Sequence, residues 1–255
     1  MKRRIQAGLA RLAREEKVRI LYACESGSRA WGFASTDSDY DVRFIYVRRP
    51  SWYLSIQLEN RPSTIERPIT GLLDYSGWDL RKALQLLQKS NPPLLEWLRS
   101  PIVYRADPLF VREMKKLAGQ AYSPVRTFHH YRKMAEGNYR EYLRGRQVRT
   151  KKYFYVLRPL LAWQWVLARH GPPPMEFEAL VAASRMPSMV RREVSKLLAD
   201  KRLGREMDAG PRIDTLNRFI EEALSRPVPD LEAPRLSSAV LDRFFQRWIV
   251  QAWEL

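Results

Sequence analysis

With 255 residues, 45% of them hydrophobic, the chain is long enough to bury one large core or two ordinary ones without covalent staples. A single cysteine, Cys24, excludes an internal disulfide, no Cys/His cluster has zinc-site spacing, and no run of about 18 apolar residues offers a membrane span. The 45 Lys and Arg against 28 Asp and Glu leave a formal charge of +17, so the expectation is a soluble, cytoplasmic protein with a polyanionic partner and no membrane partner.

In chain order, Ile5, Leu9, Leu12 and Ala13 recur at helical spacing and predict an amphipathic helix over 4–15. Residues 18–24 form a short apolar run that predicts a strand, ended by Ser26, Gly27 and Ser28 as a turn. A short helix over 28–34, a polar turn over 35–38 and a second strand over 40–47, closed by Pro50, are expected next. Further strands are expected over 63–69 and 72–75. Leu80, Ala83, Leu84 and Leu87 mark a helix, and Ser76 followed by Asp79 has the form of a capping box at its start. Asn91, Pro92 and Pro93 stop that helix and open another over 94–98.

Beyond residue 106 the spacing is helical throughout: 107–117, 125–143, 151–170, 187–200, 214–224 and 237–253. Phe154, Leu157, Leu161 and Trp165 form one apolar stripe, and 172–174 and 226–234 read as linkers by composition. The fold class expected is therefore α+β: an N-terminal mixed sheet with flanking helices over 1–105, followed by an all-helical domain over 106–255 that binds nucleotide or nucleic acid.

The chemistry is concentrated between Ser26 and Val42. Alternate residues of a strand point the same way, so Asp39 and Asp41 present two carboxylates side by side. Like charges that close repel, and a divalent cation with a preference for hard oxygen ligands relieves the repulsion. Gly27 allows a strand-to-helix turn to bring backbone N–H groups near a triphosphate, Ser28 adds a hydroxyl, and Arg29 can neutralise phosphate charge or sit at the surface. A Gly-Ser dipeptide alone punctuates many loops, and an Asp-x-Asp alone is nearly as common. Their combination, with a strand on each side, is what carries the functional reading.

Gly27-Ser28, ten intervening residues and Asp39-x-Asp41 resemble the signature of the DNA polymerase β superfamily, and Gly27-Ser28-Arg29-Ala30 is similar to its minimal nucleotidyltransferases. The resemblance is closest to predicted bacterial nucleotidyltransferases related to the RNA-repair-associated polymerase β branch, through 27–53, 76–87, 91–104 and 151–161. It implies a polymerase β-type catalytic domain, two Mg²⁺ ions for which Mn²⁺ can substitute, an NTP donor expected to be ATP, and transfer of NMP with release of pyrophosphate. Gly27 and Ser28 would hold the β and γ phosphates and Asp39 and Asp41 the metal. The third carboxylate usual in the superfamily is assigned to Asp74, between Leu73 and Tyr75, with Glu66 as the alternative.

Between Arg126 and Arg158 ten Lys or Arg and seven Phe or Tyr stand against Glu136 and Glu141. This mixture reads as a nucleotide or RNA platform, although helices with core aromatics and solvated charges explain it too. Arg140 and Arg144 are expected on one helix face and Lys151, Tyr155 and Arg158 on another, with Lys151 and Tyr155 as substrate contacts. His129 and His130 lack a partner acid at ligand spacing, and Cys24 reads as a small core residue. An RNA end is the expected acceptor. AMP transfer to a protein or small molecule, and a non-catalytic RNA-binding module, are the alternatives.

Overall fold

The apolar runs of the first half pair into a five-stranded mixed sheet, seen in a computed structural model that describes residues 1–169, 171–204, 209–227 and 237–254. Its strands are β1 (Arg19–Glu25), β2 (Tyr40–Val47), β3 (Thr64–Glu66), β4 (Leu73–Asp79) and β5 (Val103–Ala106), in the spatial order β3-β4-β2-β1-β5. The β2–β4 pair is parallel and the other pairs are antiparallel. Strand β2 starts and ends where its alternation predicts. Strand β5 escaped notice because its four residues include the exposed Arg105 and Ala106, which blunts the apolar signal.

Both faces of the sheet are covered, which is why β1 and β2 read as continuous apolar runs. One face packs Val42, Phe44 and Tyr46 against Ile5, Leu9 and Leu12 of α1 (Lys2–Glu15). The opposite face packs Ile45 and Val47 against α4 (Leu80–Gln88), α5 (Pro92–Trp97) and α6 (Pro108–Ala121), and also against Leu241, Phe244 and Trp248 of α12 (Ser238–Glu254). Between these lie the short α2 (Gly27–Ala30) and α3 (Pro50–Tyr53). The capping box expected at Ser76 is not formed, because Ser76 is still in β4; Asp79 alone caps α4, accepting from Arg81 N at 2.8 Å.

The chain divides into two compact units, and not at residue 105. The first unit comprises Met1–Ala30, Asp39–Tyr122 and the C-terminal helix α12; the second comprises Trp31–Ser38 and the chain from Ser123. The reason is packing: β5 pairs with β1, α6 fills the sheet's second core, and α12 returns to that core from the far end of the chain.

In the second unit α7 (Pro124–Tyr142), α8 (Lys152–Arg169), α9 (Phe177–Ala183), α10 (Ser188–Arg202) and α11 (Asp214–Leu224) surround one aromatic-rich core, with the two-residue strands β6 (Gln147–Val148) and β7 (Gly210–Pro211) paired beside it. Helix α9 and these strands were not expected. The segment Trp31–Ser38 is built into this core: Phe33 stacks on Phe154 at 4.8 Å between centroids, and Phe177 N donates to Trp31 O at 2.9 Å. His170 and most of the linker 226–234 lie outside the described residues.

Candidate active site

Strand β1 delivers the chain to Ser26, whose N–H donates to Asp41 O at 2.8 Å and so pins the turn to the start of β2. The turn passes through Gly27 at φ +58°, a left-handed conformation that costs an L side chain about 1–2 kcal/mol. A Cβ built on Gly27 would overlap the Asp41 carboxylate. Glycine is therefore required here twice, for its dihedral and for the carboxylate against it.

Asp41 and Asp74 are register partners on the parallel strands β2 and β4, so both carboxylates emerge from the same face. Arg43 lies between them: its Nη2 donates to Asp41 Oδ1 at 2.7 Å and to Asp74 Oδ2 at 2.8 Å. Burial raises the Asp41 pKa above its ordinary value; Arg43 opposes this, and Asp74 and Asp39 add to it. Asp39 is exposed just before β2, and its carbonyl accepts from Arg29 Nε at 3.1 Å. The Arg29 guanidinium sits 3.6 Å from the Tyr40 ring centroid, so this side chain packs locally along the Asp39–Tyr40 edge.

A buried carboxylate supports the turn from behind. Glu25 is fully buried, accepts from Asp41 N at 2.7 Å through Oε1 and from the Tyr104 hydroxyl through Oε2. Its backbone is fixed as well, with Ser100 Oγ donating to Glu25 O at 2.6 Å. Burial raises the Glu25 pKa, while the Tyr104 and Asp41 N–H bonds oppose the rise.

Glu25, Arg43 and Tyr104 were not singled out from the sequence. Arg43 was within reach, because the alternation that pairs Asp39 with Asp41 places residue 43 next along that face. Glu25 was not, since its partners lie 16 and 79 residues away.

Gly27, Ser28, Arg29, Asp39, Asp41 and Asp74 all fall in the first unit, around the ends of β1, β2 and β4. Glu66 is exposed on the outer strand β3 and pairs with Ser76, away from the Asp41–Asp74 rung. Among the described residues no three His, Cys, Asp or Glu side chains form a closed cation cage. The donors are nevertheless of the kind a hard cation takes: Asp39 lies near enough to Asp41 to raise its pKa, and both are acidic side chains beside the Gly27 turn. Magnesium is commonly held by one or two carboxylates plus substrate oxygens, and Asp39 with Asp41 fits that pattern.

Lys151 and Tyr155 belong to the second unit. Tyr155 is 44% exposed and packs edge-on to Trp31 at 6.2 Å. Lys151 lies near enough to Asp37 to help lower its pKa, after the larger effect of the Ser35 hydroxyl. Two features of the expected platform are corrected. Arg158 is only 3% exposed, lying over the Trp31 ring at 4.5 Å, so it does not share an open face with Tyr155. Arg144 falls beyond the end of α7, so it does not share a helix face with Arg140. Phe128, Tyr131, Tyr139, Tyr153 and Phe154 are core residues, which leaves Tyr142 and Tyr155 as the segment's accessible rings.

No helix among the described residues is long and apolar enough to cross a membrane. A family model described as RNA repair pathway DNA polymerase beta family matches residues 1–250. The chain is 46% identical over 259 residues to the uncharacterized protein YcgL of Bacillus subtilis strain 168, covering 100% of this chain and 98% of that protein. A crystal structure of a nucleotidyltransferase-like protein from Exiguobacterium sibiricum 255-15 aligns over 86% of this chain and 74% of that one, at 12% identity and a TM-score of 0.32.

Proposed function

The chain belongs to the RNA repair pathway DNA polymerase beta family, and on that premise we propose that it transfers a nucleoside monophosphate from an NTP, ATP first, to the terminal hydroxyl of an RNA. The observation that carries this reading is the seating of the Gly27 turn on the Asp41 carboxylate, with Asp74 in register beside it.

In the proposed reaction the Gly27–Ser28 backbone and the Ser28 hydroxyl donate to the β and γ phosphates. Glu25 holds the Asp41 N–H and thereby keeps the turn and β2 in fixed relation. Asp39 and Asp41 would hold Mg²⁺, with Asp74 joining them for the second ion. Mg²⁺ held there would supply polarisation of the phosphoryl group and a lowered pKa at the acceptor hydroxyl. The acceptor oxygen gives up its proton to water and forms a bond to the α phosphorus as the bond to the β phosphate oxygen breaks, and pyrophosphate leaves with that electron pair. The net charge of +17 supports a polyanionic acceptor.

The test is incubation of the pure protein with each labelled NTP, Mg²⁺ and mixed RNA. Label is expected on RNA, and Asp41→Ala is expected to abolish transfer while RNA binding persists. Label on protein or on a small acceptor would redirect the activity to AMP transfer. RNA binding with no transfer from any NTP would leave a non-catalytic binding module.

A further inference from the structure

Charge without counter-charge marks a second place in the first unit. Arg14 and Lys17 stand at the end of α1, Arg19 opens β1, Arg49 follows β2 and Arg105 lies on the edge strand β5. All five are exposed and line one hollow of about 370 Å³ together with Trp253. Among the described residues no acidic side chain lines it, and none of the five cations has an ion-pair partner. Trp253 organises two of them: the Arg19 and Arg49 guanidinium carbons lie 5.3 and 4.5 Å from its ring centroid, while its Nε1 donates to Arg48 O at 2.9 Å.

A roomier hollow on the other flank of α1, of about 720 Å³, contrasts with it. There Arg67 pairs with Glu15 and Glu16 at 2.9 and 3.0 Å, and Arg11 lies 3.7 Å from Glu15. That surface, which shares Arg14 with the hollow at Trp253, carries an acid of its own in Glu15, and two of its cations are paired.

We infer that the hollow at Trp253 is a polyanion site, separate from the acids, that holds the phosphodiester backbone of a single-stranded polynucleotide. Five cations exceed what one free phosphate requires, and a backbone that repeats its charge along its length matches cations spread over α1, β1, β5 and the end of β2. Arg19 is the register partner of Val47, six residues beyond Asp41 on β2, which sets the site roughly 20 Å from the acids at strand rise. Its identity as an RNA exosite, gripping the body of a strand whose end lies at Asp41, rests on the function proposed above; the binding itself does not.

The experiment measures fluorescence anisotropy of labelled single-stranded RNA of about 20 nucleotides, and of a trinucleotide, over a range of salt, a length chosen against known site sizes. The full chain is compared with the triple variant Arg19→Ala/Arg49→Ala/Arg105→Ala. A control, Arg112→Ala/Lys115→Ala/Lys116→Ala, removes equal charge from α6. The first variant is expected to lose on the order of 10-fold in affinity for the long RNA and to lower the salt slope by about 2, from about 0.7 per phosphate contact. The control and the trinucleotide are expected to change less than about twofold on the same logic of lost contacts. Arg19→Lys/Arg49→Lys/Arg105→Lys is expected to restore binding, which separates charge from folding damage.

Equal losses in both triple variants would reduce the effect to net charge and overturn the site. Full displacement of RNA by inorganic phosphate would make it a small-anion pocket, and tight binding of a polyglutamate-bearing protein in preference to RNA would reassign it to an acidic protein. Because anisotropy needs no turnover, it is repeated with Asp41→Ala. Intact salt-dependent binding without transfer sinks the catalytic proposal alone, and transfer with no difference between the triple variants sinks the exosite alone.

Discussion

Gly27 and Asp41 touch so closely that the carboxylate occupies the place a side chain on residue 27 would take. The turn and the acid are thus one packed unit, although 14 positions separate them in the sequence.

Gly27→Ala is therefore expected to lose about 2 kcal/mol or more, from the left-handed dihedral together with displacement of the carboxylate. Thermal unfolding gives the stability, and the labelled-NTP assay is expected to show no transfer even at temperatures where the variant is folded. Full activity in a folded Gly27→Ala protein would contradict the packing described.

Arg43 supplies the positive charge between Asp41 and Asp74, whose side chains are each 27% exposed. Arg43→Ala leaves two partly buried carboxylates facing each other and is expected to cost about 1–3 kcal/mol near neutral pH. Added Mg²⁺ is expected to raise the melting temperature of the variant more than that of the parent, since the guanidinium no longer competes for the acids. An equal Mg²⁺ response in both proteins would remove Arg43 from that competition.

Asp79 gives a pH-dependent prediction. It is 3% exposed, caps α4 through Arg81 N and accepts from the Tyr53 hydroxyl at 2.8 Å, and burial raises its pKa despite both bonds. A carboxylate whose folded pKa lies above its unfolded value contributes stability below the unfolded value, here 3.8, and loses it as pH rises through the folded one. Asp79→Asn keeps an acceptor for the cap and removes the titration. Its stability relative to the parent is expected to improve as pH rises from about 4, the ordinary carboxylate range, towards neutrality. Urea unfolding across that range checks the slope, and a flat difference would exclude the burial effect. Asp79→Ala removes the cap as well as the titration and is expected to cost about 1–2 kcal/mol near pH 4, and less as the pH rises.

The parts of this protein that sequence reveals are those fixed by neighbours. Strand β2 alternates its outward Asp41 and Arg43 with inward Val42 and Phe44, and Leu216 and Ile220 of α11 repeat at helical spacing, so both elements fall where local pattern puts them. What stayed hidden depends on distant partners. Periodicity announces α12 as a helix but not that Phe244 and Trp248 fill the core beside β2. The run of Arg and Tyr through 126–158 reads equally as a platform or as helices with core aromatics until the core claims five of its rings and Trp31 receives Arg158. Glu25 looks like an ordinary strand end until Tyr104 and the Asp41 N–H satisfy it.

The return of α12 to the sheet makes the first unit depend on a helix that follows the second unit's helices in the chain. Leu241, Phe244 and Trp248 are translated after every strand of that sheet, yet they complete the apolar layer on the face that carries Asp41. Nascent chains halted before that helix emerge with the layer open and its oily residues wetted, a state that proteolysis and chaperones recognise. Synthesis of α12 is thus the step that lets the sheet close.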